Sequence, residues 1–346
     1  MIKLTIRQME YFDALARTLH FGRAAEVAGV TQPALSAQIA EMEERLGCRL
    51  FERGGRAVEL TEDARVLQSR IEHILAEIRD VEALARGGRL AMEGRFRLGI
   101  IPTVAPYLLP RMLSGLRIVF PALLLELREA VTQTLVDEAV AGRLDAVMVA
   151  LPLQHAGLTV EMLFTDRFLL AVPASDPVFI APPVPPESPV LERLMLLEEG
   201  HCMRDQALAV CGSVRPAAMA NYGATSLTTL LQMVAHGLGV TLIPEIAKEA
   251  AEEMRDIRIV PFSEPAPFRS LGLAWRSGSA RAAECAALAA TLRRLYGEPS
   301  QASDQTGDAQ RQPDPEQGKN DKADDKGGSS VADPVGRDVD PGVEVA

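Results

Sequence analysis

The residues best suited to do chemistry in this chain of 346 residues are Cys202 and Cys211, nine positions apart in the run Gly200-His201-Cys202-Met203-Arg204-Asp205-Gln206-Ala207-Leu208. The pattern predicts a helix beginning at Cys202, where exposed N–H groups and the helix dipole favour thiolate over thiol. Arg204 and the adjacent His201 favour it further. A thiolate attacks a peroxide to give a sulfenic acid, which a nearby thiol condenses into a disulfide, and Cys211 is the candidate partner. One continuous helix from Cys202 to Cys211 would separate the two by about 13 Å along its axis. A disulfide needs Cα atoms roughly 4.4–6.8 Å apart. Such a bond therefore forms only if the segment bends or unwinds. Spacing alone is more readily met by two unrelated core cysteines.

Around these residues the chain reads as three ordered parts and a tail. In residues 1–60, Arg7 to Arg17 keeps Met9, Phe12, Leu15 and Ala16 on one helical face. A second short helix, Phe21 to Ala28, ends at a Gly29-Val30 turn. Thr31 caps a third, with Pro33 in its first turn, where a missing N–H costs little. Together they predict a helix-turn-helix whose third helix turns Gln32, Ala34, Ser36, Ala37 and Gln38 outward. Gln pairs bidentately with adenine and Ser reads either sort of base edge. Arg49 to Leu60 reads as a hairpin wing broken at Gly54-Gly55, placing Arg49, Arg53 and Arg56 to contact phosphate. A small helical dimer module that binds no DNA fits the same pattern. Residues 61–94 hold a long helix, Thr61 to Arg86, with Leu67, Ile71, Ile74, Leu75, Ile78, Val81 and Leu84 at heptad-like spacing, followed by a Gly-rich hinge.

From residue 95 to 298 strands alternate with helices, the signature of an α/β domain with largely parallel sheets. Strand-like runs are Phe96 to Ile101, Leu123 to Arg128, Ala146 to Ala150, Phe168 to Val172 and Gly239 to Ile243. Helical patterns are Tyr107 to Val119, Thr134 to Ala141, Ser226 to His236 and Ala280 to Tyr296. Residues 299–346 read as a disordered acidic tail: from Gln301 on there are eleven acids, five bases and no aromatic residue.

The formal net charge of −11 argues against a protein that coats nucleic acid over its whole surface, but not against a small DNA-reading module on an acidic body. No apolar run is long enough to span a membrane and no leader is evident, so a cytoplasmic protein is expected. There any disulfide is more readily a switch than a staple. Cys48 and Cys285 read as small apolar residues. The five histidines make no metal-ligand spacing with the cysteines, and no Walker loop, dinucleotide fingerprint or nucleophile elbow is present. Neither a metal, nor a cofactor, nor a turnover enzyme is expected.

Met9 to Leu60, above all Phe21-Gly22-Arg23-Ala24-Ala25, Thr31-Gln32-Pro33-Ala34-Leu35-Ser36 and Leu46-Gly47-Cys48-Arg49-Leu50-Phe51-Glu52-Arg53, resembles the N-terminal domain of LysR-type transcriptional regulators. The similarity runs to about residue 297. The cysteine segment, with Ile101-Pro102-Thr103-Val104-Ala105-Pro106-Tyr107 and Ala224-Thr225-Ser226-Leu227, resembles the peroxide-sensing members of that family. The resemblance implies an α/β effector domain of two subdomains like those of periplasmic binding proteins, and an all-α winged helix-turn-helix head joined by a long dimer-forming linker helix. It implies a homodimer or homotetramer on double-stranded promoter DNA. Cys202 would be the peroxidatic residue and Cys211 the resolving one, and Thr103, Thr132, His201, Asp205 and Arg276 would line the hydrogen peroxide pocket. RNA polymerase recruitment and resetting by thiol reductants follow from the same likeness. A regulator of this family that senses a small metabolite with inert cysteines, a thiol peroxidase, and a purely architectural DNA binder are the competing readings.

Overall fold

The computed structural model describes residues 3–52, 58–85, 92–153, 155–176, 181–211 and 224–297. The first helix, α1 (Ile6–Thr18), opens with a reciprocal box in which Thr5 accepts from the Gln8 N–H and Gln8 accepts from that of Thr5. His20 Nδ1 accepts the Gly22 and Arg23 N–H groups and starts α2 (Phe21–Val27). Helix α3 (Gln32–Leu46) has Pro33 in its first turn and stops at Gly47, whose φ of 73° suits a residue without Cβ. Thr31 occupies the cap position of α3, but its side chain makes no capping bond. Strands β1 (Phe51–Glu52) and β2 (Glu59–Leu60) pair antiparallel as a short wing. The buried Glu43 carboxylate ties the wing to α3 by accepting the Leu50 and Phe51 N–H groups at 2.7 and 3.1 Å. Phe12, Leu15, Ala24, Leu35, Ile39, Met42 and Phe51 form the core of this head.

Helix α4 (Glu62–Ala85) sends Ile71 and Leu75 into that core, while Val66, Ile74, Val81 and Leu84 are exposed. Its other side rests on the following domain. Ala76 packs against Gly142, where an added Cβ would come within 2.7 Å of the alanine methyl. Arg79 donates to the Ala141 carbonyl at 2.8 Å, and Arg143 pairs with Glu72 at 2.9 Å.

The α/β domain runs β3 (Gly94–Ile100), α5 (Ala105–Val119), β4 (Leu123–Glu129), α6 (Thr132–Val140), β5 (Ala146–Leu151), β6 (Leu158–Pro173), α7 (Cys202–Cys211), α8 (Leu227–Ala235), β7 (Thr241–Pro244), α9 (Lys248–Glu252), β8 (Ile257–Pro261), β9 (Phe268–Arg276) and α10 (Ala282–Tyr296). The sheet order is β4-β3-β5-β9-β6-β7, with β8 also on β6. Among the described strands of this sheet only β3 pairs in parallel, with β4 and β5; the β5–β9, β6–β9, β6–β7 and β6–β8 ladders are antiparallel. The expectation of largely parallel sheets is thus corrected to a mixed sheet. The reason is β6: its first ten residues pair with β9, and from Phe168 on it pairs with β7 and β8. One long strand serves two halves and β9 returns beside it, so both crossings run antiparallel. Each half has its own core, one around Phe96, Leu98, Met148, Leu273 and Leu292, the other around Phe168, Leu170, Val234, Leu242 and Val260.

Sequence patterning missed β8, β9 and the first part of β6. In β9 the buried residues include Arg269 and Arg276, so the strand does not read as an apolar run. The expected tail lies outside the described residues, as does the hinge from 86 to 91.

Candidate functional site

Where the two halves meet, five elements contribute residues around Cys202 and a buried ion pair. Thr103 follows β3 and is buried; Thr132 is the first residue of α6; Asp166 and Arg269 stand opposite each other in the β6–β9 ladder; Cys202 opens α7. Gly200, at a φ of 92°, turns the chain into that helix, and His201 is buried beside it. Cys202 itself is half-buried and packs against the core of the first half, while Met203 and Ala207 on the same helix belong to the core of the second.

Arg269 is held on two edges. Its Nε donates to Asp166 Oδ2 at 2.9 Å, and Nη2 lies 2.9 Å from the same oxygen. Nη1 donates to Thr103 Oγ1 at 2.9 Å and Nη2 to the Thr103 carbonyl at 3.2 Å. The guanidinium sits over the Phe168 ring, 5.9 Å from its centre. Asp166 is completed by the Ile246 N–H, 3.2 Å from Oδ1. Both side chains of the pair are fully buried.

The electrostatics differ from the expectation of a resting thiolate. Burial pushes the Cys202 thiol up, and this outweighs the opposing pull of Arg269, of the nearby Thr132 hydroxyl and of the Met203 N–H; Asp205 pushes the thiol up further. The two cations expected beside it do not serve. Arg204 turns to the Leu197 carbonyl at 3.0 Å, and burial holds the His201 imidazole below its ordinary value, which favours the neutral ring. The Thr132 hydroxyl oxygen is buried without a hydrogen-bond partner in this geometry, so it is available to a charged sulfur or to a small polar guest.

The head presents a second surface. Thr31, Gln32 and Pro33 are exposed at the start of α3, Ser36 and Gln38 are half-buried, and Gln38 donates to Glu41 at 3.0 Å. Arg49 is exposed just before the wing. Arg53 and Arg56 lie outside the described residues.

Two family patterns account for these two regions. Residues 6–65 match the bacterial regulatory helix-turn-helix protein, lysR family, and residues 91–297 match the LysR substrate binding domain. The chain belongs to the LysR family. Among its relatives in that family, a probable hydrogen peroxide-inducible genes activator of Streptomyces viridosporus is 40% identical over 84% of this chain and 93% of its own length. The DNA-binding transcriptional dual regulator OxyR of Escherichia coli K12 is 37% identical over 80% of this chain and 90% of its own. In structure, a full-length OxyR variant from Pseudomonas aeruginosa matches with a TM-score of 0.70 at 34% identity, covering 85% of this chain and 96% of that one. A hydrogen-peroxide-bound OxyR mutant of Corynebacterium glutamicum matches with a TM-score of 0.59 at 32% identity, covering 85% and 92%.

Within this LysR-family fold the structure brings together Thr103, Thr132, His201 and Cys202, but not all of the expected set. Asp205 is exposed on α7 and reaches Cys202 only through its charge. Arg276 is placed elsewhere. It sits at the far end of β9, paired with Glu77 at 2.9 Å and with Asp80 on α4. The arginine beside Thr103 and Cys202 is Arg269, seven residues earlier, about 23 Å along an extended strand. Sequence reading missed Arg269 and its partner Asp166. The available signal was an arginine next to the apolar run Leu271 to Trp275, which a buried ion pair explains. Cys211 is the last residue of α7. Cys285 is buried, its thiol donating to the Asp145 carbonyl at 3.5 Å and pushed well above the ordinary thiol range by burial; Cys48 is half-buried and pushed up likewise. Neither sulfur is activated by its surroundings.

Proposed function

We propose that this chain is a hydrogen-peroxide-sensing transcriptional regulator in which Cys202 is the peroxidatic residue and Cys211 the resolving one. The observation that carries this reading is the placement of Cys202: at the seam of the two halves, against Thr132 and Arg269, with Cys211 at the opposite end of the same helix. The naming of relatives at 37–40% identity as peroxide-inducible activators and as OxyR supports it.

The chemistry balances with two thiols and one peroxide. Cys202, deprotonated, attacks one peroxide oxygen; the O–O bond breaks, the sulfur becomes a sulfenic acid, and hydroxide leaves and takes up a proton as water. Arg269 is placed to stabilise the thiolate and the negative charge that develops on the departing oxygen, and Thr132 adds a hydroxyl. Thr103 orients the arginine. Cys211 then attacks the sulfenic sulfur, an S–S bond forms, and a second water leaves. Cellular dithiols reduce the disulfide and reset the sensor. This is one turnover per signal rather than steady catalysis.

The ten residues of α7 put the two cysteines about 13 Å apart along the axis, twice what a disulfide spans. Closing the bond therefore dismantles the helix at the seam, and the two halves repack. The output is the head, acting on promoter DNA through Thr31, Gln32, Pro33, Ser36, Gln38, Arg49, Arg53 and Arg56, in a cytoplasmic homodimer or tetramer that recruits RNA polymerase. The working division is 1–60 for the head, 61–94 for the linker, 95–298 for the sensor and 299–346 for the tail.

The test is peptide-level mass spectrometry of the reduced protein before and after a near-stoichiometric dose of hydrogen peroxide, with free thiols blocked. A Cys202–Cys211 crosslink within minutes, with Cys48 and Cys285 still free, is the expected result. Four free thiols would sink the reading and turn attention to small metabolites.

A further inference from the structure

A carboxylate and a guanidinium with no exposed side-chain surface are costly to bury, and replacing such a pair by apolar residues is often neutral or stabilising. The pair Asp166–Arg269 calls for an account beyond stability. Its position supplies one. The two residues face each other in the β6–β9 ladder, just before β6 passes on to its pairing with β7 at Phe168. Asp166 takes one edge of the guanidinium and the Ile246 N–H; Thr103 takes the other edge. The planar fork is thus fixed in orientation, and Arg269 is the cation that acts on the Cys202 sulfur. The other groups bearing on that sulfur are Thr132 on α6 and, on α7 itself, the Met203 N–H and Asp205. Glu245 and Tyr107 face the ion pair.

We propose that Asp166 is the positioning residue of this site, setting the reactivity of Cys202 through Arg269 by locking the guanidinium edge-on and offsetting most of its charge. The proposal rests on Cys202 being the reacting thiol. An Arg269 without its carboxylate would present a full positive charge to the sulfur and make it reactive toward any electrophile at rest. With Asp166 in place the site is close to neutral, and the arginine engages fully only when negative charge appears between sulfur and oxygen.

The experiment follows alkylation of Cys202 by iodoacetamide in the reduced full-length protein from pH 6 to pH 10, read by peptide mass spectrometry, in wild type, D166N, D166E and the double variant D166N/R269Q. In D166N the amide oxygen still accepts from Arg269 while the charge is gone. The expected result is a titration midpoint lowered by about one pH unit, hence about tenfold faster alkylation at neutral pH. D166E, which restores the charge on a longer arm, stays within about threefold of wild type by the same scale. In D166N/R269Q both charges are removed, and the midpoint stays at or above that of wild type. This second variant leaves no unpaired buried charge, so it decides the matter if D166N does not fold. The proposal is overturned if D166N leaves the midpoint unmoved, if the double variant falls as far as D166N, or if buried Cys285 becomes reactive together with Cys202, which marks a loosened fold. The readout uses no peroxide. A midpoint that moves as expected in a protein that never joins Cys202 to Cys211 would sink the peroxide reading and leave the role of Asp166 standing.

Discussion

At the scale of single residues, the site is decided by which arginine stands where. Arg269 and Arg276 lie on the same strand, yet one is locked between Asp166 and Thr103 and the other between Glu77 and Asp80 on α4. Their substitutions therefore separate cleanly. Arg269→Lys keeps the charge but loses the fork that spans Asp166 and Thr103, and Cys202 oxidation by peroxide is expected to slow about a hundredfold, as when a preorganised donor to a developing oxyanion is removed. Arg276→Ala is expected to leave that rate within about twofold, because this side chain does not touch the sulfur's surroundings. Stopped-flow measurement of thiol loss checks both. Equal slowing in the two variants would mean that Arg276 acts at the sulfur after all. Burial pushes the Cys202 thiol up although the residue opens a helix: the pull of one guanidinium does not outweigh the loss of water.

At the scale of elements, in the proposed switch α7 is both the scaffold of the reduced site and the obstacle to its oxidised form. Its first residue is held against the first half while Met203 and Ala207 anchor it in the second, so unwinding it costs packing as well as helix. Ala209 is exposed on this helix. Ala209→Gly lowers helix stability by about 1 kcal/mol without touching the site. If disulfide closure requires the helix to open first, the sulfenic acid in this variant condenses up to about fivefold faster, since 1.4 kcal/mol corresponds to tenfold. Trapping the sulfenic acid with dimedone over time measures it, and an unchanged lifetime would place the slow step outside α7. Hydrogen exchange on residues 202–211 is expected to rise on oxidation for the same reason.

At the scale of the whole molecule, α4 links head and sensor. It enters the head's core through Ile71 and Leu75 and is fastened to the sensor by Arg79, Arg143 and Arg276, while Val66, Ile74, Val81 and Leu84 face outward. An exposed apolar stripe on a long helix is what a second copy of the chain would cover. Val81→Glu is expected to weaken self-association at least tenfold, given about 1.5–3 kcal/mol for a buried apolar side chain, and analytical ultracentrifugation would show the shift toward monomer. An unchanged sedimentation profile would exclude this stripe as the interface. A complete redox switch of such an assembly needs roughly 5.5 kcal/mol between its two arrangements. Much of this design was legible in the chain alone. Helix periods, the Gly47 stop, the hairpin residues and the cysteine segment are local signals, set by caps, turns and amphipathic spacing over a few residues, and they placed the head, the linker and the start of α7. The return of β9 beside β6 was not legible, nor was the placement of Arg269 rather than Arg276 near Cys202, the partnership of Asp166, or the upward push of burial on the Cys202 thiol. Each depends on which distant segments share a ladder and how much water they exclude, and burial and pairing across a hundred residues leave no local mark.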